Sequence, residues 1–180
     1  MFYFKLVILM TLFINNNVVF VRARECIIEN KAYPNEYLYQ NSKNTKNEMV
    51  NGFLKRVDRI QDLDSIKWII RLHSNNRITL QNKKTNEYLC AMPPLFNNRF
   101  NHVHSSISLV KSMNLNCVWI EKRSTDDETK STFLLWNSFY SRQLFGNLKS
   151  SKKNERSIQL AQEKTKLNDK NNFKWIIKCQ

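Results

Sequence analysis

The stretches EYLYQ (36–40), EYLCA (87–91) and RQLFG (142–146) share one short pattern and recur about every fifty residues. Each is followed by an apolar segment with a tryptophan: IKWIIR around Trp68, CVWIEK around Trp119 and FKWIIK around Trp175. The separations from Leu38, Leu89 and Leu144 to these tryptophans are 30, 30 and 31 residues. Two landmarks with a common period predict a repeat architecture of three units.

The N-terminal residues have the pattern of a secretory signal. Lys5 precedes an apolar run over residues 6–14, and Val21 and Ala23 fit the small-residue rule for cleavage. A retained membrane anchor is the alternative, but asparagines at 15–17 interrupt a stretch that would need about 20 apolar residues to span. We therefore expect a signal peptide over residues 1–23, and an exported chain over 24–180 without a membrane span.

The charge of the chain favours polyanionic partners. The full sequence has 29 basic and 15 acidic side chains, and loss of Lys5 and Arg22 with the signal would leave a net charge of +12. Sulfated glycans, nucleic acids and acidic surfaces attract such a protein. Nucleic acid is the least expected of these partners, because an exported chain is separated from the nucleus. In addition, the aromatic residues that could stack on bases fall in predicted strands, where we expect them to be buried in the core. The remaining length suits a single domain, which we expect to be a monomer.

The cysteines predict two disulfides. Four cysteines in an exported chain form two bridges with three possible connectivities. If the units close into a ring, Cys26 at its start and Cys179 at its end meet, which favours Cys26–Cys179 and Cys90–Cys117. Their spacings match no zinc pattern, and we predict no metal and no cofactor.

The segments between polar turn clusters are short and rich in β-formers, which predicts about four strands in each unit and an all-β fold. Alternation is clear in SISLV and SIQLA, where every second residue is apolar. Residues 49–63 are less clear, because their apolar positions also fall near a helical spacing. We interpret them as the third strand of the first unit followed by a turn, with a short inserted helix as the alternative.

Three four-stranded units of about fifty residues resemble the β-trefoil, in which six strands form a short barrel and three hairpins cap it. The resemblance covers residues 26–179 and divides them near 26–76, 77–130 and 131–180. It implies a closed barrel without open strand edges. It also implies a shared core that contains Leu38, Trp68, Leu89, Trp119, Leu144 and Trp175.

Known β-trefoil classes suggest different sites. Ricin-type lectins carry Gln-x-Trp, but here Ile66, Cys117 and Phe173 stand two residues before the tryptophans, so ricin-like sugar binding is disfavoured. Fibroblast growth factors and interleukin-type cytokines are also trefoils, and the growth factors bind heparin through basic residues in their last repeat. The glycine-rich signature of the growth factors is absent from this sequence. The matching polyanion-binding candidates are Lys149, Lys152, Lys153, Arg156, Lys164, Lys166, Lys170 and Lys174.

Plant-type trypsin inhibitors, a further trefoil class, present a loop with Arg or Lys as bait. The irregular stretch 93–106 contains Arg99 and is the alternative site. It also contains His102 and His104, two potential zinc or copper ligands without an evident third, which we interpret as exposed loop residues.

The sequence thus predicts a secreted, non-enzymatic β-trefoil that recognises a sulfated glycan or an extracellular protein receptor, in a cytokine-like or lectin-like way. A secreted protease inhibitor is the second hypothesis. A secreted enzyme of unidentified type is the third, because motifs for nucleophilic, phosphate or metal chemistry are absent from the sequence.

Overall fold

The computed structural model describes residues 22–40, 53–73, 75–94, 105–110, 114–125, 132–150, 155–161 and 170–180. Strands dominate these ranges, and short 3₁₀ turns are the helical elements among them. The strands are β1 Ala23–Asn30, β2 Glu36–Tyr39, β3 Phe53–Arg56, β4 Lys67–Leu72, β5 Arg77–Asn82, β6 Tyr88–Pro94, β7 Ser105–Val110, β8 Val118–Arg123, β9 Thr132–Asn137, β10 Arg142–Ser150, β11 Glu155–Ala161 and β12 Lys174–Cys179.

Six of these strands form a closed antiparallel barrel. β1 pairs with β4, β4 with β5, β5 with β8, β8 with β9, β9 with β12, and β12 again with β1. Closure leaves no unpaired edge in this ring. The all-β fold predicted from the short strand-like segments is therefore present.

The other six strands form three hairpins at one end of the barrel. They are β2–β3, β6–β7 and β10–β11, and β11 pairs with both β3 and β7. The strand β3 confirms the interpretation of the described part of residues 49–63, because Phe53–Arg56 is extended and a 3₁₀ turn at Val57–Arg59 follows. The opposite end, where β4 and β8 end, β5 and β9 begin, and both ends of the described chain lie, we call the open end.

The predicted leucines and tryptophans fill the centre of the barrel. All six are at most 1% exposed. Each indole nitrogen also donates a hydrogen bond to the backbone carbonyl of its leucine: Trp68 to Leu38 at 3.0 Å, Trp119 to Leu89 at 2.8 Å and Trp175 to Leu144 at 3.1 Å. A buried indole N–H needs such a partner, so this bond fixes each hairpin on the barrel strand below it.

Three buried asparagines at the ends of β1, β5 and β9 fix the turns that lead into the hairpins. Each side-chain oxygen accepts a hydrogen bond from the backbone two or three residues later. Each amide nitrogen donates to a carbonyl in the 3₁₀ turn that precedes a tryptophan strand: Asn30 to Asn172 at 2.9 Å, Asn82 to Ser65 at 3.0 Å and Asn137 to Asn116 at 2.8 Å. The acceptors each lie three residues before their tryptophan, so one arrangement occurs at three places.

The two disulfides are those that ring closure favoured. Cys26 is bonded to Cys179, and Cys90 to Cys117, so the described part of the chain has no free cysteine. The first bridge joins the paired residues of β1 and β12 across a sequence separation of 153. Within the described residues, no helix has the length and apolarity needed to cross a bilayer.

Candidate functional site

Four of the predicted polyanion-binding residues fall in described elements: Lys149 in β10, Arg156 in β11, Lys170 in the 3₁₀ turn at Lys170–Phe173, and Lys174 at the start of β12. The described side chains among them are Arg156, Lys170 and Lys174. For Lys149 the structure describes the backbone within β10 but not the side chain. Lys152, Lys153, Lys164 and Lys166 lie outside the described residues.

Arg156 is held in place by two neighbours. Its Nε is 2.9 Å from Oε2 of Glu36, and its Nη2 is 3.3 Å from Oε1 of the same carboxylate. Its guanidinium carbon also lies 3.5 Å from the ring centroid of Tyr33. A bidentate pair stacked on an aromatic ring is among the stronger surface contacts. Arg156 therefore ties β11 to the β1–β2 region, and a polyanion would have to compete with Glu36 for it.

Lys170 and Lys174 differ in exposure. Lys174 is only 8% exposed, near the start of β12, whereas Lys170 is exposed at the preceding 3₁₀ turn. Of the described members of the predicted site, Lys170 is thus the one whose position suits contact with a large ligand.

A cluster of alternating charges covers the outer face where β1, β4 and the β5–β6 turn meet. The Nζ of Lys67 is 2.9 Å from Asp64 and 3.6 Å from Glu25, and the Nζ of Lys83 is 2.9 Å from the other oxygen of Glu25. Lys84 pairs with Asp62 at 2.9 Å. These lysines are already neutralised within the protein.

The hydrogen bonds of this cluster shift its titration. The bond from Lys83 lowers the pKa of the Glu25 carboxyl below its ordinary value, and the bonds from Lys84 and Lys67 do the same for Asp62 and Asp64. In return, Asp64 raises the pKa of Lys67. The charged forms of Glu25, Asp62, Asp64 and Lys67 are therefore favoured in the folded protein.

A shallow cavity of about 140 Å³ lies beside the cluster. Glu25, Ile27, Lys67, Lys178, Gln180 and the Cys26–Cys179 bridge line it. Lys178 is engaged with Glu29 at 2.8 Å, and this contact raises the pKa of Lys178. The cavity is well below the 300–1,000 Å³ of typical ligand pockets, and both of its lysines are paired, so it suits no more than a small group.

A second basic group, which the sequence reasoning missed, lies at the open end. Arg24 is near the start of β1, Arg71 near the end of β4, Arg77 at the start of β5, and Lys122 and Arg123 at the end of β8. Arg71 is half-buried, and its Nη1 donates a hydrogen bond to Oε1 of Gln81 at 2.6 Å, whereas the other four are exposed. Each of these bases stands in or beside a segment that the sequence predicts to be a strand. Only the pairing of the strands, however, shows that the ends of these segments are neighbours.

Most of the alternative inhibitory loop lies outside the described residues. Pro93 and Pro94 end β6, and Ser105 begins β7, while Arg99, His102 and His104 lie outside the described residues. His73 is described, and its Nε2 lies 3.2 Å from the hydroxyl of Thr79. No group of three or more His, Cys, Asp or Glu residues that could hold a metal occurs in the described ranges.

Comparison with known proteins identifies the fold. No protein-family model matches the chain, and no characterised protein matches it significantly in sequence. Solved structures do match. The designed threefold-symmetric protein ThreeFoil has a TM-score of 0.61 at 11% identity, over 86% of this chain and 97% of its own.

Two natural proteins show the same likeness. A salivary protein from Culex quiquefasciatus of the Cysteine and Tryptophan-Rich family has a TM-score of 0.57 at 17% identity, over 88% of this chain and 94% of its own. The SDF2-like protein from Arabidopsis thaliana has a TM-score of 0.61 at 12% identity, over 87% and 93%. At these identities the likeness shows the fold alone. The chain therefore has a β-trefoil-like fold, and no family is assigned to it.

Proposed function

We propose that this protein is an exported, non-enzymatic binding protein that recognises a polyanionic glycan. The observation that carries the proposal is a positive surplus that the protein does not neutralise itself. The chain has 14 more basic than acidic side chains. The described carboxylates are largely engaged with lysines and arginines of the same molecule, so the surplus must be balanced by solution ions or by a partner.

The engaged carboxylates lie on several faces of the molecule. Besides the cluster around Lys67 and the Glu36–Arg156 contact, they form separate ion pairs on other strands and turns. These further pairs are Glu29–Lys178, Asp58–Arg56 and Glu155–Lys55. Such carboxylates offer little attraction to a cationic partner, whereas the excess bases favour a sulfated one by release of counterions.

Export is part of the proposal. The signal-like residues 1–23 and two disulfides support it, since disulfides persist in oxidising compartments. The likeness to a salivary protein agrees with it as well. The finer architecture that we propose for the exported part is three four-stranded repeats, supported by the three similar Trp–Leu and asparagine contacts.

The binding role is preferred to catalysis because all four cysteines are in disulfides, which removes thiolate chemistry. The hydroxyl of Thr79, which contacts Nε2 of His73, belongs to a fully buried residue and is out of reach of a substrate. A protein receptor with an acidic surface is the alternative partner. Protease inhibition through Arg99 stays a prediction, and a lack of inhibition of trypsin-like proteases at micromolar protein would remove it.

Heparin chromatography tests the proposal. We expect the exported form, residues 24–180, to elute from immobilised heparin well above physiological salt. A dermatan sulfate column and a sulfonate cation exchanger of equal charge density distinguish glycan recognition from simple ion exchange. Elution below about 0.15 M NaCl, or earlier elution from heparin than from the exchanger, would contradict glycan binding.

Charge-neutralising variants test whether the lysines predicted from the sequence contact the glycan. Neutralising Lys149, Lys152 and Lys153 together should lower the elution salt if they contact sulfates. The matched control is Lys67→Gln, Lys83→Gln and Lys84→Gln, which removes the same charge from lysines already paired with carboxylates. Equal shifts for the two triple variants would show that net charge, and not this surface, determines retention.

A further inference from the structure

We infer that the open end of the barrel is a docking surface for a sulfated glycan, formed by Arg24, Arg71, Arg77, Lys122 and Arg123, which we call the basic rim. The inference rests on the proposed function and names a surface for it that sequence reasoning did not find. It places the main contact on arginines from three distant parts of the chain, and not on the lysines of the last part.

The barrel brings the rim residues together. Arg24 pairs with Ile70, the neighbour of Arg71, across β1 and β4. The backbone of His73 donates to the carbonyl of Arg77 at 2.7 Å in the β4–β5 connection. Arg77 in turn pairs with Ile120 in β8, three residues before Arg123. Four adjacent strands at about 4.8 Å spacing place these ends within roughly 15 Å of each other.

One carboxylate in the described part of the chain faces the rim. Glu121 lies in β8, and its pKa is raised by burial although Arg24 and Arg123 act in the opposite direction. The nearby Glu25 is already engaged with Lys67 and Lys83. Lys122 is held over the ring of Trp136 at 4.7 Å, a contact that leaves its charge in place. The described part of the rim therefore keeps a strong positive charge.

The chemistry of the rim fits sulfate. Four of its five bases are arginines, whereas seven of the eight residues predicted in the last part of the chain are lysines. A planar guanidinium can donate two parallel hydrogen bonds to two oxygens of a tetrahedral anion, which a lysine ammonium does not do. An exported protein meets such anions mainly as sulfated glycans, so we favour these over nucleic acid.

The competing explanation is that carboxylates of the same chain neutralise the basic rim. The connection between Thr125 and Thr132 contains Asp126, Asp127 and Glu128, and it lies outside the described residues. If these carboxylates occupied the rim, arginine substitutions there would not affect glycan binding. The experiment is designed to distinguish the two.

The test compares the wild type with Arg24→Gln/Arg77→Gln/Arg123→Gln and with Lys149→Gln/Lys152→Gln/Lys153→Gln on immobilised heparin, after circular dichroism shows that each is folded. Both variants lose three charges. We expect the arginine variant to elute at distinctly lower salt, and its slope of log affinity against log salt to fall by up to about 3. Equal elution of the two variants, or an earlier one for the lysine variant, would overturn the inference.

A second measurement uses the wild type alone, in case the arginine variant does not fold. Phenylglyoxal modification with and without heparin, read by mass spectrometry, should show protection of Arg24, Arg77 and Arg123, with Arg59 as the exposed control. Equal modification of all four arginines would refute the surface. Equal protection by heparin and duplex DNA at the same charge concentration would refute the glycan preference. If the wild type is not retained by heparin at all, the proposed function itself fails.

Discussion

At the scale of single residues, the Leu–Trp contacts show how a sequence pattern becomes a physical constraint. The constant spacing predicts that leucine and tryptophan share the core, and both are buried at all three places. The pattern does not by itself predict that the indole nitrogen bonds the carbonyl of that leucine. This bond requires strand ends that only the closed barrel brings within hydrogen-bond distance.

Trp175 is the residue on which this contact can be measured. Trp175→Ala should cost about 3–5 kcal/mol of unfolding free energy, because it leaves a large cavity. Trp175→Phe keeps most of the apolar volume but leaves the Leu144 carbonyl without its donor, at a cost of about 1–3 kcal/mol. Urea unfolding measures both, with the half-buried Trp136→Phe as control. A Trp175→Ala protein that melts within a degree or two of wild type would contradict this account of the core.

The asparagines show what residue-level reasoning missed. Asn82 lies in a polar cluster that is expected only to form a turn, and the sequence predicts no role for Asn30 or Asn137. Asparagine is so frequent in this chain that its presence at a turn carries little information. A comparison of the three leucine patterns would have found them, since they stand 8, 7 and 7 residues before Leu38, Leu89 and Leu144.

At the scale of elements, the turns that lead into the hairpins depend on positive-φ residues other than glycine. Asn35, Asn86 and Ser141 each have positive φ, between 51° and 66°, and each lies three residues before its leucine. Asparagine tolerates this region better than most residues. The sequence therefore predicts these turns by composition, but not the conformation of each residue.

Gly146 in β10 is needed for close approach, and Gly146→Ala should be destabilising. A Cβ there would lie 2.9 Å from Cδ1 of Leu54 and 3.2 Å from Cε2 of Tyr33. Such overpacking typically costs about 1–3 kcal/mol. Thermal unfolding measures this cost. Leu54→Val should relieve part of it, so the double variant is expected to lose less stability than the two single changes together, and strict additivity would argue against the clash.

The charge cluster on β1, β4 and the β5–β6 turn should make stability sensitive to acid. The pKa values of Glu25, Asp62 and Asp64 are lowered in the folded state, so their contribution is present above the unfolded values and is lost as pH falls through the folded ones. We therefore expect a decline in melting temperature that begins near the ordinary pKa values of 4.5 and 3.8 and continues below them.

Neutralising the lysines that pair with these carboxylates tests whether the charge cluster causes the acid sensitivity. Lys67→Gln/Lys83→Gln/Lys84→Gln should make the acid decline shallower, because the three carboxyls then titrate closer to their ordinary values. The Lys149/Lys152/Lys153 variant, with the same change in charge, should keep the wild-type profile. Because the groups are on the surface, 0.5 M NaCl should weaken the effect. If melting temperature depended on pH in the same way for both variants, the charge cluster would be ruled out as the source of the acid sensitivity.

At the scale of the whole molecule, sequence reasoning predicts the closed β-fold but locates charge less well. Bases that are close in sequence, such as Lys149, Lys152 and Lys153, are simple to recognise as a group. Arg24, Arg77 and Arg123 are about fifty residues apart and become neighbours only when β1, β4, β5 and β8 pair. Conversely, Arg156 looks like part of a basic surface in sequence, but pairing of β11 with β3 brings it to Glu36.

The Cys26–Cys179 bridge has a consequence for the survival of the protein among proteases. Because the bonded residues lie at the two ends of the fold, any single peptide-bond cut between them leaves both fragments covalently attached. A nicked molecule should thus migrate as one species in a denaturing gel without reductant, and as two after thiol treatment. A barrel closed in this way can be cut in an exposed connection and still keep its parts in one particle.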